Sequence, residues 1–182
     1  MQLGLKSEKL VFLDETSAKT NMTRLYGRAP IGVRLVDRTP HGHWVNTTLV
    51  CGLKHDGIVA PHAFTGAMNK TRFLDYLKRH LLPVLNKGDI VVMDNLSSHK
   101  GLQVEMLLAS KGANTLYLPA YSPDLNPIEL SFSKLKSVLR KLKIRDVGKL
   151  QRFLRRSPKL FSTSECRNYF RHAGYPVNKL LK

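Results

Sequence analysis

Two short apolar runs in this sequence each lead into an aspartate: Leu10-Val-Phe-Leu13 into Asp14, and Ile90-Val-Val-Met93 into Asp94. Runs of this kind between polar flanks read as buried strands, and in open α/β sheets ligands gather at the carboxyl ends of strands. An aspartate there stands on a rigid support and can converge with others on a hard cation. The third candidate is Glu129, in the first turn of a helix that follows the Pro-rich loop Pro119–Pro127. Three carboxylates with open water positions suit Mg²⁺ or Mn²⁺, which prefer oxygen ligands. A pair of such ions about 4 Å apart serves phosphoryl transfer. Each acid also has a plainer reading. Asp14 and Asp94 fit ordinary residues following strands, and Asn126-Pro-Ile-Glu129 fits an N-cap, a first-turn proline and a capping-box acid. Glu15, beside Asp14, points to the other side of its strand and reads as structural.

The elements that must position these acids follow from periodicity. Strands are expected at Leu10–Leu13, around Val33–Val36, at Trp44–Leu53, at Gly57–Phe64, at Ile90–Met93 and at Thr115–Leu118. Trp44, inside a strand pattern, is expected in the core. Lys70–Leu85 has helical spacing at Phe73, Leu74, Leu77, Leu81 and Leu82, and Leu102–Ala109 forms a second helix stopped by Gly112. Ile128, Phe132, Leu135, Val138, Leu139 and Leu142 mark one face of a long helix, with further helices near 147–161 and 163–173. A meander of strands followed by strands alternating with helices implies an α/β fold, a mixed sheet with both faces covered.

Composition narrows the partner. The 182 residues carry thirty Lys and Arg against thirteen Asp and Glu, a net charge of +17. The excess is concentrated: residues 131–182 hold fifteen Lys/Arg against Asp146 and Glu165, a local net of +13. A basic surface beside an acid-containing body suits a polyanion whose phosphates approach a cation site. Lys134, Lys136, Arg140, Lys141, Arg152, Arg155 and Arg156, with Arg24 and Arg28 in the loop after Asp14, are the candidate nucleic-acid contacts; a solvated helix face is the alternative. Cys51 and Cys166 lie far apart and outside any C-x-x-C pattern, as ordinary reduced thiols do. His41, His43, His55 and His62 lack zinc-site spacing and read as loop residues. The first fourteen residues do not form a signal peptide and no apolar run approaches a membrane span, so a cytoplasmic location is expected.

The segments VVMDNLSSHKG (residues 91–101) and YLPAYSPDLNPIELSFSKLK (residues 117–136), with Asp94 and Glu129 separated by 34 residues, resemble the second half of the catalytic domain of mariner-superfamily transposases. The resemblance is strongest to the bacterial insertion-sequence-630 type. LDETSAKTNMTRLYGRAPIG (residues 13–32) is similar to the first-acid region of the same group, and SECRNYFRHAGY extends the likeness toward the end of the chain. Ser17 departs from the pattern, since relatives often carry an aromatic there.

The resemblance implies an RNase H-like, retroviral-integrase-type fold with residues 1–145 as the catalytic domain and 146–182 as its helical, basic C-terminal extension. It implies Mg²⁺-dependent cleavage and transfer of DNA strands, with two ions (Mn²⁺ as substitute) held by Asp14, Asp94 and Glu129. Asn95 and His99 match the motif, and His99 is assigned phosphate or outer-sphere contact, since a hard cation prefers oxygen. The implied partners are DNA, as element ends and a TA-containing target, and a second copy in the DNA complex. The implied location is bacterial, with nucleoid association when on DNA. Full-length relatives begin with helix-turn-helix domains, whereas thirteen residues precede Asp14 here. The expectation is a catalytic half that works with an N-terminal helix-turn-helix segment. A structure-specific nuclease of the same fold, or an inactive DNA-binding remnant, is the alternative.

Overall fold

The structure, a computed structural model, describes residues 5–42, 44–96 and 99–177. Expectations for His43 and for the two chain ends therefore fall outside the described residues. A five-stranded sheet runs in the order β3-β2-β1-β4-β5. Its strands are β1 (Leu10–Lys19), β2 (Asn46–Lys54), β3 (Gly57–Thr65), β4 (Ile90–Met93) and β5 (Asn114–Tyr117). β1 to β3 form an antiparallel meander, while β4 joins β1 and β5 joins β4 in parallel. Parallel neighbours need crossovers. Here the chain from β3 to β4 carries α1 (Lys70–Tyr76), and the chain from β4 to β5 carries α2 (Leu102–Ala109).

Strand alternation sorts β1 between two cores. Leu10, Phe12 and Ala18 join a cluster with Ile128, Phe132, Leu135 and Leu139 of α3 (Ile128–Leu142), Leu150 and Leu154 of α4 (Val147–Arg155), and Cys166 and Phe170 of α5 (Thr163–His172). Val11 and Leu13 join Phe73, Tyr76, Val104 and Leu108 on the opposite face. Helices thus cover both sides of the mixed sheet, and α4 and α5 share the core of α3. No helix among the described residues is long and apolar enough to cross a membrane.

Several elements depart from the local pattern. β1 runs to Lys19, so Asp14 stands mid-strand rather than at a strand end. Pairing with β2 through Ala18↔Thr47 and Lys19↔Asn46 carries it past the apolar run. Val33–Val36 is not a strand: the described residues between Thr20 and Val45 pair with no other strand, and Tyr26, Ile31 and Val36 are exposed. Trp44 precedes β2 and is only half-buried. The helix expected over residues 70–85 changes hydrogen-bond pitch at Leu77, continuing as a π-helix and a 3-10 turn into Pro83. The one expected at 147–161 breaks at Ser157-Pro158, where proline lacks the donor to continue. His62 belongs to β3, stacked on His80 with ring centroids 4.2 Å apart.

Candidate active site

Register places the first two acids side by side. β4 pairs with β1 only through Leu10↔Ile90 to Phe12↔Val92. Beyond Phe12, β1 continues without a β4 partner, and β4 ends at Met93, one residue before Asp94. Asp14 and Asp94 flank the opening this creates. Glu129 enters from the first turn of α3, whose N-terminal dipole favours an acid there. All three line one cavity of about 420 Å³, together with residues of the loop Leu118–Pro123. Asn95 is exposed and lines the same cavity.

Each aspartate is held by donors of its own. Asp14 Oδ1 accepts the Glu15 N–H at 2.7 Å, and Oδ2 accepts the Asn126 side-chain amide at 2.8 Å. Asn126 was expected to cap α3; its side chain is instead buried against Asp14, and the cap position is Pro127, with no side-chain capping bond. Asp94 Oδ1 accepts from His99 Nδ1 at 2.6 Å and from the Leu96 N–H at 3.3 Å. His99 is wholly buried, and its Nε2 lies 3.1 Å from Glu15 Oε2. A ring with a carboxylate at each nitrogen donates from both, so His99 is an imidazolium. Its burial leaves no part of the ring open to a phosphate. Glu15 lies on the expected face of β1 and is joined to Asp94 through His99.

The electrostatics follow from this geometry. Burial raises the Asp14 pKa, to about 7; its own hydrogen bond with Glu15 N–H works the other way, and the carboxylates of Glu129, Glu15 and Asp94 raise it further. Burial acts against the charged form of His99, yet the hydrogen bonds and charges of Asp94 and Glu15 outweigh it and carry its pKa up to about 9. Asp94 is likewise pushed up by burial but held below its ordinary value by the His99 bond and charge. Asp14 thus holds its proton well above the ordinary carboxylate range, while Asp94 does not.

The described residues contain no group of three or more His, Cys, Asp or Glu arranged to hold a metal ion as they stand. The donor chemistry nevertheless fits a hard cation, since the cavity offers three carboxylates and no thiolate or imidazole facing it. Tyr121, missed by the sequence reading, stands at the cavity rim fully exposed, with φ 56°. Left-handed backbone at a bulky residue is uncommon and clusters at functional sites.

The basic candidates divide. Lys134 is bound to the Leu160 carbonyl and to Glu165 and lies over the Phe161 ring. Arg155 donates to the Ala63 carbonyl of β3. Both make contacts within the fold, Lys134 half-buried and Arg155 exposed. Arg24, Arg140 and Lys141 line one surface groove with Tyr26, and Arg28 lines the adjoining one. Arg152 and Arg156 are exposed and Lys136 is half-buried.

The family model described as DDE superfamily endonuclease matches residues 9–151, the span that contains all three acids. The chain belongs to this family. The endonuclease fold is also that of solved transposases. A pre-cleavage Mos1 transpososome superposes with a TM-score of 0.73 at 16% identity, covering 92% of this chain and 53% of that one. A Mos1 mariner paired-end complex with Mn gives a TM-score of 0.73 at 18% identity, with the same coverage of 92% and 53%. The catalytic domain of Mos1 mariner transposase gives 0.67 at 17% identity, covering 92% and 78%. The sheet and flanking helices are therefore RNase H-like. The chain spans about half the length of the whole transposases it matches, 53% in the first case. None of the curated proteins compared is similar enough in sequence to match.

Proposed function

We propose that this endonuclease is the catalytic domain of a mariner-superfamily DNA transposase of the insertion-sequence-630 type, with residues 146–182 as a helical basic extension of the same domain. Asp14, Asp94 and Glu129 are proposed to hold two divalent cations, Mg²⁺ or Mn²⁺. The observation that carries the reading is that three acids from distant parts of the chain line one cavity. When bound, the cations would neutralise charge on a scissile phosphate and ease proton loss from the attacking water or hydroxyl.

The chain's own residues supply the rest. Asn126 and the Glu15 N–H fix both oxygens of Asp14. His99 fixes Asp94 through Oδ1. Arg24, Arg28, Arg140 and Lys141 attract phosphates along one side, and Tyr121 offers an exposed π-face beside the acids on which an unpaired base can stack. The proposed partners are element ends, a TA-containing target, a second copy in the DNA complex and an N-terminal helix-turn-helix segment. Paired ends and a transpososome are what the Mos1 structures describe for that protein. The proposed location is the bacterial cytoplasm, on the nucleoid when DNA-bound.

Asp94→Asn tests this. It preserves size and removes a ligand charge. Nicking of supercoiled DNA with Mg²⁺ or Mn²⁺ is expected to fall by about 100-fold or more, beyond what loss of an outer-sphere partner costs. Non-specific DNA binding is expected to stay within about twofold, since phosphate attraction comes from Lys and Arg. Nicking at the wild-type rate would remove Asp94 from the mechanism.

A further inference from the structure

We infer that Glu15 is a positioning residue of this active site, acting through His99 to set the orientation of the Asp94 carboxylate. The inference rests on the reading of Asp94 as a cation ligand and extends it to a residue outside the cavity. Glu15 and Asp14 are neighbours on β1 and point to opposite faces of the sheet. One strand therefore supplies a carboxylate to the cavity and a second carboxylate behind it.

The link between them is geometric. His99 Nε2 meets Glu15 Oε2 at 3.1 Å, and His99 Nδ1 meets Asp94 Oδ1 at 2.6 Å. The ring is fixed in two other ways: its face packs on Phe73 at 4.4 Å between centroids, and its backbone carbonyl accepts from Tyr117 Oη at 3.1 Å. With ring plane and backbone set, a half-turn flip about the Cβ–Cγ bond remains, which would turn Cδ2 toward Asp94 and Cε1 toward Glu15; the Glu15 bond opposes it by holding Nε2 in place. The two described donors to Asp94, His99 Nδ1 and the Leu96 N–H, both use Oδ1. That leaves Oδ2 as the oxygen turned toward a cation.

A purely structural role explains less. The His99 side chain has no exposure and that of Glu15 only 19%. Burying charge is costly unless the partners are held in good geometry, and an apolar pair would fill this space without that cost. An apolar residue at position 99 would leave Asp94 Oδ1 with the Leu96 N–H, at 3.3 Å, as its described donor.

The test separates a hydrogen bond from a charge. Glu15→Gln keeps the length and an acceptor oxygen but removes the charge; Glu15→Asp keeps the charge but draws the oxygen away from His99; Glu15→Ala removes both. Mn²⁺ is titrated calorimetrically into the full 182-residue chain and its variants, with Asp94→Asn in parallel. His99 ¹⁵N shifts are recorded on the same samples. Wild-type chain should bind and Asp94→Asn should not. Glu15→Ala and Glu15→Asp should weaken Mn²⁺ about tenfold, the lower range for an outer-sphere partner, and shift the His99 Nε2 signal. Glu15→Gln should stay within about threefold of wild type, well inside that range. If Glu15→Ala does not fold, the Gln and Asp variants decide alone. Wild-type Mn²⁺ affinity in both Glu15→Ala and Glu15→Asp, or an intact Asp variant beside a weakened Gln variant, would overturn the inference while Asp94→Asn still loses binding. Wild-type affinity in Asp94→Asn would overturn the parent reading together with it.

Discussion

At the scale of single residues, the site is defined by the imbalance between its two aspartates. Asp94 is compensated by His99, whereas Asp14 is buried among other carboxylates and rises to about 7. A carboxylate raised in the folded state keeps its proton there after the unfolded chain has lost it. Its contribution to stability is complete below pH 3.8, falls as pH rises through about 7 and is flat above. His99 adds a fall in the same direction between 6.5 and about 9. The cation-free protein is therefore expected to lose stability from pH 5 to pH 8. Asp14→Asn should flatten the part of that slope below pH 7, as read by urea unfolding at several pH values. Mn²⁺ should raise the melting temperature more at pH 8 than at pH 5.5, because at low pH it competes with the Asp14 proton. Equal stabilisation at the two values would argue that Asp14 does not meet the ion.

At the scale of elements, the acids were legible because each follows an apolar run or opens a helix, features visible within a few residues. Their supports were not. His99 and Glu15 are separated by 84 positions and Asn126 and Asp14 by 112, so only the assembled sheet brings them together. Asn126 satisfied a local capping pattern and was recruited by a distant carboxylate instead. Val33–Val36 has strand composition but lacks a pairing partner, and strand propensity is largely the fit to such a partner. The loop that contains it is tied down elsewhere, with Lys143 paired to Asp37 at 3.0 Å and Arg145 donating to the Thr20 and Met22 carbonyls. α5 was legible as a helix, and its fixed start comes from the Ser162–Glu165 capping box. Its importance to the core was not legible. Phe170 is fully buried and meets Phe12 of β1 edge-on at 5.2 Å. Phe170→Ala is expected to cost about 3–5 kcal/mol and to lower Tm by roughly 6–20 °C at about 2–4 °C per kcal/mol. A loss under about 1 kcal/mol in chemical denaturation, the usual effect of a surface change, would show that α5 is peripheral.

At the scale of the whole molecule, a net charge of +17 sets the encounter with DNA, but the fold assigns the charges different work. Lys134 is held by internal acceptors, while Arg24, Arg140 and Lys141 share an open groove. Replacing Arg140 and Lys141 with Ala should lower the slope of log affinity against log salt by roughly two, one per phosphate contact. Lys134→Ala should leave the slope unchanged and lower thermal stability instead. Equal salt slopes for the two variants would contradict this division. The two thiols also lie at different depths of the same body. Cys51, in β2, is the register partner of Asp14 in β1, and Cys166 sits on α5; both are free and buried. An alkylating reagent can reach either only when its surroundings open, so the modification rate of each reports the opening of its own segment. Mass-resolved labelling at the two positions would rank the central sheet against the last helix, with Cys51 expected to be the slower, and would do so without a probe being engineered into the chain.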